Sequence, residues 1–235
     1  KYYDNHYWKR CNLTSMIENS IYDHSETVTG RSKIKSGTNY LTMKKQSRKN
    51  IKSSFPGGKI IEIDIVSLEP RILLRHFNLN QAKDVYNEML NNLKLKHLTR
   101  DKLKLGLLAI IYGAANETVR KLSGLKPSDI AVIKNYFKVK KLNYDLKNEY
   151  EFRNCIRNMY DRPINSNAAL VNHYIQSSAA DCAQIAFYDF LKELDKTKIK
   201  LLAVIHDAII IDVHPDLIKY ILSTNSIYEE YLNIE

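Results

Sequence analysis

Two aspartates stand where an aspartate is costly. Residues 204–211 read VIHDAIII, and residues 59–64 read KIIEID. A carboxylate buried among isoleucines loses several kcal/mol unless something compensates it. For Asp207 the candidates are a hydrogen-bond network, a basic partner, a turn that lifts it to solvent, or a metal ion. Asp64 poses the same problem at the end of its own apolar run. Either alone is more often a strand-end carboxylate that hydrogen-bonds a turn. If the two runs are neighbouring strands, however, their carboxylates meet at one edge of a sheet. Close carboxylates repel, and divalent cations relieve the repulsion. Two Mg²⁺ ions about 3.5–4 Å apart can activate one oxygen and stabilise another during an in-line phosphoryl displacement.

A second constellation lies between them. In TRDKLKLGLLAIIYG (residues 99–113), Arg100, Lys104, Leu108 and Tyr112 recur at every fourth position. That spacing aligns them on one face of a helix. The stripe is about 18 Å long at 1.5 Å per residue, with basic groups at its N-terminal end and an aromatic ring at the other. A nucleotide has that length: phosphates against Arg100 and Lys104, the base toward Tyr112. An amphipathic helix with a polar first turn and a buried tyrosine has the same pattern.

The elements that must position these residues are partly legible. After the Pro56-Gly57-Gly58 turn, KIIEIDIVS predicts a strand from Lys59 to about Asp64. Helices are predicted over 68–77, with Leu68, Ile72, Leu73 and Phe77 on one face, and over 81–94. Thr99 can cap a helix running from Arg100 to Tyr112 and ended by Gly113. Pro127-Ser128 opens a further helix through about Lys138, while 140–165 carries no clear pattern. Ser178-x-x-Asp181 reads as a capping-box start. The helix after it would turn Ala183, Ala186, Phe187, Phe190, Leu191 and Leu194 inward. A strand (199–205), a tight turn (206–208) and a second strand (209–213) follow, closed by His214-Pro215 and a last helix. The irregular alternation predicts an α+β fold, an antiparallel sheet with helices on one face.

Composition narrows the partners. The chain has 235 residues, 44% of them hydrophobic, enough for one large domain or two small ones. Its three cysteines, Cys11, Cys155 and Cys182, are far apart with no CxxC. A disulfide framework or zinc cluster is therefore not expected, and an intracellular setting fits. No signal peptide and no membrane-length apolar run is visible. The net charge of +10 points to an anionic partner, most often nucleic acid. From Thr27 to Ile61 there is no acidic residue, only Arg31, Lys33, Lys35, Lys44, Lys45, Arg48, Lys49, Lys52 and Lys59. A solvated loop mixes its signs; this segment reads instead as one that tracks a phosphate backbone.

Five ordered motifs carry a family resemblance. DIVSLEPR (64–71) is similar to D-Y-S-x-I-E-L-R, and RDKLKLGLLAIIYG (100–113) to R-x-x-x-K-x-x-x-F/Y-G-x-x-Y-G. NHYIQSSAAD (172–181) resembles N-x-P-I-Q-G-T-A-A-D, VIHDA (204–208) resembles V-H-D-E, and TVTGR (27–31) resembles T-x-T-G-R. Together they resemble the polymerase domain of family A DNA polymerases, the bacterial polymerase I and phage T7 polymerase group. DVYNEML (84–90) and YDRPI (160–164) look closer to the phage members, whose setting would be the host cytoplasm.

The resemblance implies a right-hand palm plus helical fingers, with the thumb largely missing because residues 1–28 are too few for one. The expected division is palm over 1–80 with the basic DNA-contacting segment, fingers over 81–160, and palm again over 161–235 with the catalytic hairpin. It implies template-directed addition of deoxynucleotides to a primer 3′ end by two-metal nucleotidyl transfer. Asp64 and Asp207 would hold two Mg²⁺ ions, with Mn²⁺ able to substitute and the Ile65 backbone carbonyl helping. Arg100 and Lys104 would hold the triphosphate, with Lys104 protonating the leaving pyrophosphate. Tyr112 would close the pocket beside the templating base, Leu108 would lie against the sugar, and Glu69 would exclude a ribose 2′-OH. Tyr86 stands where bacterial members have a phosphate-binding histidine. Arg31, Arg71, Asn172, Gln176 and His206 would contact primer-template DNA. Another polypeptide or missing segment would supply the thumb.

The departures define the alternatives. Ala208 replaces the glutamate after the histidine-aspartate pair, Leu108 a Phe or Tyr, and Ala109 a Gly. A non-catalytic DNA-binding polymerase subunit or remnant would tolerate these changes. An RNA polymerase or primase-like enzyme on the same palm is a further alternative, disfavoured by the Glu69 carboxylate.

Overall fold

A computed structural model of the chain describes residues 20–23 and 27–224; Cys11 and nearly all of 1–28 lie outside the described residues. In chain order the elements are β1 (Ile21–Asp23), β2 (Lys33–Ser36), α1 (Lys45–Arg48), β3 (Lys59–Asp64), α2 (Leu68–His76), α3 (Val85–Asn92), α4 (Arg100–Ile111), α5 (Asn116–Ser123), α6 (Pro127–Tyr136), α7 (Val139–Arg153), β4 (Ile156–Arg157), β5 (Pro163–Ile164), α8 (Leu170–Lys192), β6 (Ile199–Ile205), β7 (Ala208–Val213) and α9 (Pro215–Ser223). The described residues part into two compact units. One comprises the segments up to Val66 and from Cys182 onward, the other Ser67–Asp181.

The first unit is built on a three-stranded sheet of order β3-β7-β6, antiparallel throughout. The continuous aliphatic run AIIIDV makes β7 the central strand, buried along its whole length. The period of two sends Ile60, Glu62 and Asp64 of β3 to the face that carries Asp212, Ile210 and Ala208 of β7. Tyr40, Met43 and Ile51 cover Ala203 and Ile210 in one cluster. Each such buried side chain contributes about 1.5–3 kcal/mol.

Asp212 is the exception inside β7. It is 2% exposed, and its carboxylate accepts from the Ser53 hydroxyl, the Ser54 amide (2.8 Å) and the Ser54 hydroxyl (2.7 Å). These bonds tie the segment before β3 to the sheet's central strand.

The second unit is helical. α4 packs against α3, α5 and α6, burying Leu103, Leu107, Ile110 and Ile111. Gly106 permits the closest approach, because a Cβ there would lie 2.2 Å from Leu125 Cδ1. Thr99 caps α4 as expected, its hydroxyl accepting from the Lys102 amide (3.3 Å).

Three expectations need correction. α3 begins at Val85 rather than near 81, because Asp84 accepts from the amides of Tyr86 and Asn87 and caps it there. Residues 139–153, left unassigned, form α7, whose buried side chains are only Leu142 and Leu146; so narrow an apolar stripe is hard to read. Ser178 and Asp181 do not start a helix but lie inside α8. Ser178 Oγ accepts from the Met159 amide (3.0 Å) and donates to the Tyr174 carbonyl (2.8 Å). Asp181 takes the Arg162 guanidinium at 2.9 Å. Both side chains clamp the β4–β5 hairpin onto α8. Cys155 is a free thiol, and among the described residues no helix is long and apolar enough to cross a membrane.

Candidate active site

The register of the first unit decides where the two aspartates fall. Asp64, the last residue of β3, pairs with Ala208, and Ala208 also pairs with Ile205 of β6. One rung further, the Ile65 amide donates to the Asp207 carbonyl at 3.0 Å. Asp64 and Asp207 therefore stand at the same end of neighbouring strands, Asp64 exposed and Asp207 half-buried. Residues 206–207 form a two-residue turn, so Asp207 meets the cost posed by its aliphatic surroundings at the sheet's edge. His206 has φ +53° there, a left-handed conformation costing roughly 1–2 kcal/mol for a residue with a Cβ.

Other residues expected near this end can now be placed. In TVTGR the Gly30 amide donates to the Thr27 carbonyl (3.0 Å), and the Thr27 hydroxyl donates to the Arg31 carbonyl (2.7 Å). The Arg31 charge is felt at His206. Desolvation of the imidazole, with Arg31 adding to it and Asp207 opposing, holds His206 below the ordinary histidine range.

The donors at this end are oxygens, which suit a hard divalent cation. Two aspartates and the neighbouring Ile65 backbone are available, Ala208 supplies no carboxylate, and no described residues form a cluster of three or more His, Cys, Asp or Glu. Mg²⁺ commonly binds through one or two carboxylates and completes its octahedron with water and phosphate oxygens. A structural zinc site needs four closed ligands, which this set does not offer.

In the second unit, α4 turns the predicted stripe away from its core. Lys104 and Tyr112 are exposed, and Arg100 and Leu108 half-buried. Arg100 is already engaged: its Nε lies 3.1 Å from Asp84 Oδ2, and its guanidinium carbon sits 5.0 Å above the Tyr86 ring. Burial raises the Asp84 carboxyl, but the Asn87 amide and Arg100 outweigh it and hold Asp84 below the usual carboxylate range. Tyr86 is 2% exposed, a support under Arg100 rather than a surface ligand. The Tyr112 hydroxyl donates to both oxygens of Glu69, at 2.7 and 2.9 Å.

Arg71 is fully buried, its Nη2 donating to the Lys83 carbonyl at 2.8 Å. That depth makes Arg71 a structural arginine in this conformation, not an accessible DNA contact. Asn172 and Gln176 lie one turn apart on α8, both half-buried. Asn172 and Tyr112 line one cavity of about 340 Å³ with Lys134, Lys140 and Lys147. Two groups escaped sequence reading: Asp212 with its serines, and the Asn158–Arg162–Asp181 cluster. The only signal for either was a charged residue in an apolar run or helix.

No protein-family model matches this chain, and no curated protein does. Among solved structures, the POL domain of Pol1 from M. smegmatis, in complex with DNA primer-template and dNTP, is similar to it with a TM-score of 0.64 at 15% identity. The likeness covers 91% of this chain and 44% of that one, so the chain spans less than half the length of that structure. The α+β architecture, an antiparallel sheet with helices, is thus a polymerase-like palm-and-fingers fold.

Proposed function

We propose that this chain is the palm-and-fingers part of a template-directed DNA polymerase of the family A type, closer to its phage members. The observation that carries the reading is the strand register: Asp64 opposite Ala208, with the Ile65 amide on the Asp207 carbonyl. It brings Asp64 and Asp207 to neighbouring rungs at one end of the sheet, which supports a shared metal site there.

In the reaction the primer 3′-hydroxyl gives up its proton to solvent, its oxygen bonds to the α-phosphorus of a dNTP, and the bond to pyrophosphate breaks. Asp64 and Asp207 would hold Mg²⁺, which would supply charge stabilisation to the phosphoryl oxygens. Arg100, fixed through Nε by Asp84, offers its remaining N–H groups to the triphosphate. Lys104, one turn along and exposed, donates a proton to the leaving pyrophosphate. Glu69, held by Tyr112, excludes the 2′-OH and favours deoxynucleotides. Arg31, His206, Asn172 and Gln176 bind the primer-template, and another segment or polypeptide grips the duplex as a thumb.

Primer extension with Mg²⁺ tests the reading. A labelled primer on a longer template should lengthen in template order with dNTPs, and rNTPs should be poor substrates. Asp64→Asn and Asp207→Asn should each lower the rate by at least about 10³-fold, roughly 4 kcal/mol of transition-state stabilisation. Primer-template binding without extension, in Mg²⁺ and in Mn²⁺, would favour the non-catalytic alternative that Ala208 allows.

A further inference from the structure

The acid-free segment builds a cleft that the catalytic reading leaves unused. It measures about 850 Å³ and is lined by Arg48, Lys49, Lys52, Lys59 and Phe55, with Glu62 as its acid. Glu62 is already paired with Arg48 at 3.4 Å. Lys49, Lys52 and Lys59 are exposed and form no ion pair with any described residue. Three ammonium groups without an acid partner among the described residues repel each other around one concavity, so the cleft favours an anionic occupant.

The cleft is also held in shape. Its wall, residues 53–58, is fastened to buried Asp212 by Ser53 and Ser54. Lys200 Nζ donates to Ser54 Oγ (2.8 Å) and lies 5.0 Å over the Phe55 ring. At Gly58 a Cβ would meet Ser53 Oγ at 2.3 Å and the Val213 carbonyl at 2.6 Å, so the wall is in close contact with the sheet. A loop anchored this firmly is pre-organised, and little entropy is lost when it binds.

Charge selects an anionic occupant, and distance relates it to Asp64. Lys59 and Asp64 are the two ends of β3, about 17 Å apart at roughly 3.3 Å per residue. Duplex DNA rises about 3.4 Å per base pair, so the span equals about five base pairs. We propose that this cleft binds the sugar-phosphate backbone of one strand of the primer-template duplex, about five base pairs behind the reacting end. The inference rests on the polymerase reading for what lies at Asp64. It gives the first unit a duplex grip of its own.

The test is a salt titration of DNA binding by fluorescence anisotropy. Primer-templates with about four and about twelve base pairs of duplex are compared, for the wild type and for K49Q/K52Q/K59Q. A second variant, K96Q/K121Q/K219Q, removes the same charge elsewhere on the surface. The cleft variant should lose about 10–100-fold in affinity for the long duplex and under threefold for the short one. Its salt slope on the long duplex should fall by about 2–3, near 0.9 for each phosphate no longer neutralised. The melting temperatures of both variants should confirm folding. Equal losses on both lengths, or equal losses in both variants, would overturn the proposal. So would unchanged DNA binding with loss of binding to a poly-glutamate peptide, which would make the cleft a protein-docking site. Length-dependent binding by a wild type that cannot extend a primer defeats the polymerase reading alone. A wild type that extends primers, with a cleft variant whose long-duplex affinity is unchanged, defeats only this inference.

Discussion

Arg100 is committed to Asp84 and Tyr86, so its orientation, and with it the triphosphate contact proposed for it, depends on both. Asp84→Asn keeps an oxygen to cap α3 and loses the ion pair. Both partners are 38% exposed, so the stability loss should be within about 0.5 kcal/mol. KM for dNTP should nevertheless rise about 3–10-fold with kcat within twofold, read by steady-state single-nucleotide incorporation. The Glu69–Tyr112 bond makes a similar point: Tyr112→Phe should lower the preference for dNTP over rNTP by about 3–10-fold, because the carboxylate loses its tether. At this scale the sequence was informative where a residue's type clashed with its neighbours, as at Asp64 and Asp207. It was uninformative about depth. Arg71 and Tyr86 look like ligands by type, yet both are buried, and nothing in EPR or DVY announces that.

Elements were legible in proportion to their periodicity. β3, β6 and β7 fall within one residue of their predicted ends because β-branched runs and a two-residue turn leave few alternatives. α7 did not, having only two buried side chains. Ser178-x-x-Asp181 misled because the same two residue types that cap a helix can also fasten a hairpin to its middle. The anchoring of the cleft wall to β7 has a measurable size. Asp212→Ala strands the Ser53 and Ser54 hydroxyls and the Ser54 amide, and should cost about 2–4 kcal/mol in urea denaturation. Asp212→Asn, which keeps one acceptor oxygen, should cost less.

The molecule as a whole should be acid-labile in a narrow window. Burial lowers His76, opposed by Asp145 and reinforced by Lys141; desolvation lowers His173 and His206 as well. A histidine whose folded pKa lies below its unfolded value of 6.5 takes up its proton more readily in the unfolded chain. The contribution to stability is complete above pH 6.5 and declines as pH falls below it, toward the folded values. The urea midpoint should therefore drop between pH 7.5 and 5.5, and His76→Gln should flatten that slope. His76 Nδ1 lies 2.7 Å from the Tyr174 hydroxyl, a bond that the neutral ring can accept and the protonated ring cannot.

The rung between the Ile65 amide and the Asp207 carbonyl lies beyond the last strand pair. If the sheet frays from this end, that rung opens first, and the strand ends that carry Asp64 and Asp207 part with it. The Ile65 amide proton is therefore a reporter of this end of the sheet: its solvent-exchange rate measures how often the two strand ends separate. Ile65 is 2% exposed, so slow exchange at this one amide, compared with its neighbour Val66, would mean that the sheet alone holds the two aspartate-bearing strand ends in register.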